Sequence, residues 1–434
     1  MKQRYRFEWR LLALHIIYFV ALQCLFTKFI VIIYAYQGLL VDSLNIIKVM
    51  YSIFFIVTAF ALLRKNELPS FFYLNLIIAL IVTPSLVLFS GCDLPFSFAL
   101  TTWFAFAIVA FVAQISKLHT FRTKHIKSKT LLHCFVVLSG LFILSIFALG
   151  GGKYINFDFS LVYDLRQEVA DNLPHIYSYL MPSFSKVIIP LGIILSLIYK
   201  QRVMLLMLIL CDIMIFALST HKTPLFIPFA VIGAYWLSKY PKGVNITIVF
   251  LIFGVIVSGF VYYLLPLGLN ETWIWIGAIF TYRILLLPSL LNWHHLEFFS
   301  TNPYYYWADS KFTLGAVTSP YDFPMPLQVS LAYVGIERMG SANVGWIGSG
   351  MGNAGYLGIL LYSVLMGLFL SLIDAYGKKI DKSVMFAIFL IPVLTAVQSV
   401  DLTGMLLTQG LLVLFLIVIF LDPNVKPRAF YGKR

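Results

Sequence analysis

The residues with most chemical promise are Glu337 and Arg338, which open the glycine-rich run Met339-Gly340-Ser341-Ala342-Asn343-Val344-Gly345-Trp346-Ile347-Gly348-Ser349-Gly350. A carboxylate can take a proton from a hydroxyl, and a guanidinium grips phosphate through its planar fork. Side by side, the two charges can also simply neutralise one another. The glycines allow tight turns and close backbone approach, while Gly348 and Gly352, four apart, also suit helix packing. A second cluster is Tyr163-Asp164-Leu165-Arg166-Gln167-Glu168, where Asp164 and Glu168 share one helical face. It reads equally as a structural ion-pair group or as an anion site. Arg283, His294, His295 and Glu297 precede Asn302-Pro303-Tyr304-Tyr305-Tyr306-Trp307. Adjacent histidines do not make the i, i+4 pair of a helical metal site. The aromatic residues fit a membrane interface or a surface on which sugars stack, Tyr305, Trp307 and Trp346 among them. Lys222 sits in the turn Thr220-His221-Lys222-Thr223-Pro224, where snorkelling to headgroups competes with anion binding. There is no Asp-x-Asp, and the four cysteines are scattered, so neither a metal nor any other cofactor is expected.

These groups need a scaffold. With 61% hydrophobic and 11% charged residues in 434, the chain is too apolar for a soluble domain. Apolar runs at 11–35, 45–63, 70–89, 96–116, 130–149, 183–199, 203–219, 223–238, 244–264, 356–373, 384–400 and 403–421 predict an all-α polytopic membrane protein of about 12 transmembrane helices. With both termini cytoplasmic, the inner segments hold 22 of the 31 Lys and Arg but only five of the 18 Asp and Glu. The high net charge is therefore a topology signal rather than a nucleic-acid footprint. The division that follows is 1–264, with nine spans and an outer loop at 150–182; 265–355, a long outer loop; and 356–434, with three spans and a cytoplasmic tail. Residues 273–291 are apolar enough to span. Crossing there would turn Lys378, Lys379 and Lys382 outward, so a non-crossing or re-entrant segment is expected.

The outer-loop Tyr163-Asp164-Leu165-Arg166, the run Ser341 to Gly355, and Thr281-Tyr282-Arg283 with Asn292-Trp293-His294-His295 and Phe298-Phe299 resemble the Wzy O-antigen polymerases of Gram-negative bacteria. The topology match covers most of the chain and the motif match three short stretches. The arginine-x10-glycine pattern of some members is not reproduced: Tyr177, His294 and Ser349 stand eleven after Arg166, Arg283 and Arg338. The resemblance implies a GT-C-like inner-membrane enzyme that joins undecaprenyl-diphosphate-linked oligosaccharide repeats at the periplasmic face without metal. It also implies a chain-length regulator (Wzz) and a flippase (Wzx) as partners. On that reading Arg166, Arg283, Arg338 and Lys222 hold the diphosphate. Glu337, His294 and Glu168 are the candidate bases, and Tyr305, Trp307, Asn343 and Trp346 contact glycan. The alternatives are an O-antigen ligase, which shares donor and loop, and a polysaccharide flippase, for which Asp212 is the one clear intramembrane acid.

Overall fold

The structure, a computed structural model, describes residues 8–35, 39, 44–121, 124–156, 172–219, 222–270, 273–336 and 340–423. Among these the chain is helical, with a single isolated bridge between Ile126 and Leu421. In chain order the main helices are α1 (Trp9–Ile33), α2 (Ile46–Ala61), α3 (Pro69–Gly91), α4 (Phe96–Ile115), α5 (Ser128–Ala148), α6 (Tyr177–Tyr199), α7 (Arg202–Ser219), α8 (Thr223–Leu237), α9 (Gly243–Leu264), α10 (Ile274–Phe298), α11 (Met325–Val334), α12 (Trp346–Gly377), α13 (Lys382–Gln398), α14 (Leu402–Leu407) and α15 (Leu411–Phe420). Among the described residues nine helices are long and apolar enough to cross a membrane, which supports a polytopic membrane protein. Four expected spans are shorter than that: α2, α8 and α13 have 16, 15 and 17 residues, and the run 403–421 breaks into α14 and α15 at Gly410, whose φ is +87°.

Two compact units emerge. The first comprises 1–117, 241–371 and 395–403; the second comprises 118–240, 372–394 and 404–434. The chain passes from one to the other within α12, α13 and α14, and in the loops at 117–118 and 240–241.

In the first unit α3 is the central rod, almost wholly buried. Proline at its first turn suits a helix start, where a missing N–H costs nothing. His15 of α1 meets Asn75 of α3 at 3.1 Å, and Ser90 donates to Gln23 at 2.8 Å, so α1 and α3 run parallel. Side-chain ties define the two ends of this unit. At the basic end Lys65 pairs with Glu8, Arg64 N–H donates to Gln114 (2.6 Å), and Ser371 donates to the Ser116 carbonyl (2.9 Å). At the far end Lys48 pairs with Asp93 (2.8 Å) and Asn45 donates to the same carboxylate (3.1 Å).

The far end also holds both termini of α10. Its first turns pack Gly277 under the Tyr262 ring, which in turn stacks with Phe29 near the end of α1. Its last turns bring Trp293 against Phe98, at the start of α4 (5.6 Å). Between these contacts Ser289 reaches the Ile81 carbonyl, midway along α3 (3.3 Å). A nine-residue π segment, Ala278–Leu286, and Pro288 interrupt the regular α-helix. Although α10 is long enough to span, it lies obliquely across the far half of its unit.

In the second unit α5, α6 and α7 pack together, with Gly192 admitting the Leu208 side chain and Phe142 stacked on Phe184 (4.2 Å). The Asn156 N–H bonds the Ala217 carbonyl near the end of α7 (3.0 Å).

Candidate functional site

The long segment between α10 and α12 is organised by a break inside α12. Ala354 (φ −155°, ψ 32°) and Gly355 (φ +61°, ψ −145°) are not helical, so 346–353 forms a half-helix that turns back beside 356–363. Gly350 and Gly358 meet backbone to backbone there; a Cβ built on Gly358 would stand 2.0 Å from the Gly350 oxygen. The Trp346 indole N–H closes the hairpin on Ser363 (3.1 Å). Asn292 of α10 accepts the Gly348 N–H (3.0 Å), satisfying one of the amides that a helix start leaves unpaired.

The half-helix ends on the aromatic segment. The Gly352 and Asn353 carbonyls accept the N–H groups of Tyr305 (2.8 Å) and Tyr306 (3.0 Å), and the Asn353 side chain accepts that of Trp307 (3.0 Å). These three bonds hold Tyr306 (φ +47°) and Trp307 (φ +62°) in the left-handed region. Consecutive bulky residues there are rare; such strain persists only where surrounding contacts over-determine it, and it collects at functional sites. The rest of α12 descends to the basic end, where Gly367 packs on Val112 and Ser371 bonds Ser116. The break, and the aromatic segment on it, therefore belong to the far end of the unit.

Two carboxylates meet beside this break. Asp401, in the gap between α13 and α14, accepts Tyr362 O–H (2.8 Å) and the Asn353 amide (3.2 Å) on Oδ1, and Thr403 N–H (2.8 Å) and hydroxyl on Oδ2. Tyr362 O–H in turn accepts the Trp307 indole N–H (2.7 Å), and Ser310 bonds the Thr403 hydroxyl (2.8 Å). Asp401 is thus a fully engaged hub. Asp309 is different. Its Oδ2 accepts one bond, from Met325 N–H (2.6 Å), and the residue is open to solvent. Its carboxyl pKa is raised, first by desolvation, with repulsion from Asp401 adding to this and the Met325 N–H opposing it. An open carboxylate on a segment tied to a rigid hub through Trp307 and Ser310 has the attributes of a general base for a sugar hydroxyl.

The residues singled out in the sequence are dispersed by the fold. Glu168, Arg166, Glu337 and Arg338 lie outside the described residues. Arg283 is exposed on the π segment of α10, and Gln398 donates to the neighbouring Ile284 carbonyl (2.8 Å), three residues before Asp401. His294 is buried with its ring stacked flat on Tyr333 (3.9 Å, 7°), and Tyr333 O–H donates to Glu297 (2.7 Å). That stack leaves little room for a reacting hydroxyl. Trp346 and Tyr305 are fully buried, with Tyr305 O–H donating to the Phe323 carbonyl (2.7 Å); neither ring offers a face to a ligand. Trp307 is half-buried and belongs to the Asp401 network, whereas Asn343 is exposed, accepting from Ser341 (3.0 Å). Lys222 lies in the second unit, at the start of α8.

Asp309, Asn353, Tyr362 and Asp401 were not singled out as reactive groups. One signal was available: Asp401 occupies a gap of two residues between the apolar runs 384–400 and 403–421. Among the described residues no group of three or more His, Cys, Asp or Glu is placed to hold a metal ion. No family model, curated protein or solved structure matches this chain.

Proposed function

We propose that the protein is a membrane-embedded glycosyltransferase of the O-antigen polymerase type, joining lipid-diphosphate-linked oligosaccharide repeats at the non-cytoplasmic face. The observation that carries this reading is the open, raised-pKa carboxylate of Asp309. It stands on the Asp401–Tyr362–Trp307 frame at the end of the first unit opposite Arg64 and Lys65. The positive-inside rule makes the basic end cytoplasmic and the Asp309 end external.

In this scheme Asp309 removes the proton from an acceptor sugar hydroxyl. That oxygen bonds to the anomeric carbon of the donor as its bond to the diphosphate breaks, and the diphosphate leaves with the electron pair. Cations aimed at the departing oxygens stabilise the charge that develops. Arg283 is the described arginine at this end of the first unit, and with Arg338 it belongs to the set that the resemblance implies. Trp307 and the Ser310 and Thr403 hydroxyls line the approach to the acceptor.

The test is deletion of the gene followed by gel analysis of lipopolysaccharide. A polymerase predicts molecules with a single repeat on the core. Unattached full-length polymer would instead identify a ligase, and a repeat accumulating on the cytoplasmic leaflet would identify a flippase.

A further inference from the structure

The second unit contains a cavity of about 240 Å³ that the proposed reaction does not use. Lys186 projects into it from a π-helical turn of α6, Phe184–Ile188, and its ammonium donates to the Gln409 side-chain oxygen. Ser178, Ser185, Ser219 and Thr223 supply hydroxyls, and the remaining wall is apolar. The Ser185 hydroxyl is buried and faces the Asp212 carboxyl, which does not itself line the cavity. Among the described residues no carboxylate pairs with Lys186. The lining is therefore one cation, one amide and four hydroxyls, without an acid.

A cation inside an apolar helix is costly without a counter-charge, and Gln409 supplies only a dipole. A bound anion would supply that counter-charge. The cavity is smaller than the roughly 300–1,000 Å³ of sites for drug-sized ligands, so it takes a headgroup rather than a glycan repeat. Part of its apolar wall, Met181, Pro182 and Ile215, lies on α6 and α7, which are long enough to span; that suits an anion attached to hydrocarbon.

The first unit provides an internal control. Phe26-Thr27-Lys28-Phe29-Ile30 in α1 has the same pattern as Phe184-Ser185-Lys186-Val187-Ile188, is also π-helical, and puts Lys28 on a cavity of about 260 Å³. The other lining residues there are hydrophobic or glycine. The π turn is thus a repeated way of setting a lysine into an apolar wall, and only at Lys186 is it surrounded by hydroxyls and an amide.

We infer that the Lys186 cavity binds the phosphate group of a lipid phosphate or diphosphate. This does not depend on which reaction the protein catalyses. The experiment measures binding of farnesyl diphosphate, and separately of inorganic pyrophosphate, to the full-length protein in detergent. Four proteins are compared: unmodified, Lys186→Met, Ile227→Trp (which fills the cavity but keeps the lysine) and Lys28→Met. The expected result is saturable farnesyl diphosphate binding that weakens at least about tenfold in Lys186→Met, the scale of one charge-assisted hydrogen bond. It should be lost in Ile227→Trp and unchanged in Lys28→Met. Pyrophosphate binding equally well would make the occupant a free anion and overturn the lipid assignment; weaker pyrophosphate binding supports it. Absence of saturable binding, or equal affinity in the Lys186 and Ile227 variants, would overturn the site. Should Lys186→Met fail to fold, Ile227→Trp decides.

Discussion

Asp401 and Asp212 are both carboxylates placed among helices, and they are treated in opposite ways. Asp401 accepts hydrogen bonds from a phenol, a side-chain amide, a backbone N–H and a hydroxyl. Asp212, on α7, is fully buried and neither oxygen has a hydrogen-bond partner of normal length; the Ser185 hydroxyl faces it. A closed network fixes geometry, and in the first unit it fixes Trp307 and the segment that carries Asp309. An open one fixes nothing. The difference teaches which acid is a scaffold, since removing a satisfied hub strands its donors, whereas removing an unsatisfied buried carboxyl removes mainly its desolvation cost.

Thermal unfolding in detergent can break or sharpen this contrast. Asp401→Leu leaves Tyr362, Asn353 and Thr403 without their acceptor and should cost about 3 kcal/mol, with loss of activity. A melting temperature equal to the unmodified protein would show the hub to be ornamental. Gly358→Ala forces a Cβ onto the Gly350 backbone, which has no flexible side chain to yield, and should cost about 2 kcal/mol through overpacking of the α12 hairpin. If it is neutral, the close approach of 350 and 358 does not hold the site together. Asp212→Leu should be the smallest change, near zero or a rise in melting temperature. A loss as large as that of Asp401→Leu would mean Asp212 has a partner that matters, and the contrast between the two acids would fail.

Much of the scaffold was legible as uninterrupted apolar runs, because a helix in lipid satisfies its own backbone and needs no periodic signal. The ends were less legible. The α6 helix begins at Tyr177 rather than 183, running through Pro182 into the π turn Phe184–Ile188. The glycine run 345–355 is half-helix rather than loop, so the four-residue spacing of Gly348 and Gly352 was a packing signal after all. The site was scarcely legible. Asp309 and Asp401 stand far apart in the chain and meet only because the broken α12 brings Asn353 and Tyr362 between them. No local spacing encodes that. Conversely, Trp346 and His294 had reactive or stacking residue types but sit where the core needs large rings.

The central claim is that Asp309 is the base and Asp401 its frame. The most direct measurement is repeat-polymerising activity of Asp309→Asn against pH, at matched membrane abundance and melting temperature. The account predicts a fall of at least about 100-fold, the lower range for a lost general base. In the unmodified protein activity should disappear as pH falls through a value above that of a freely solvated aspartate, because the base must be ionised and its pKa is raised. Asp309→Asn with normal polymer output and an unaltered acid limb would contradict it.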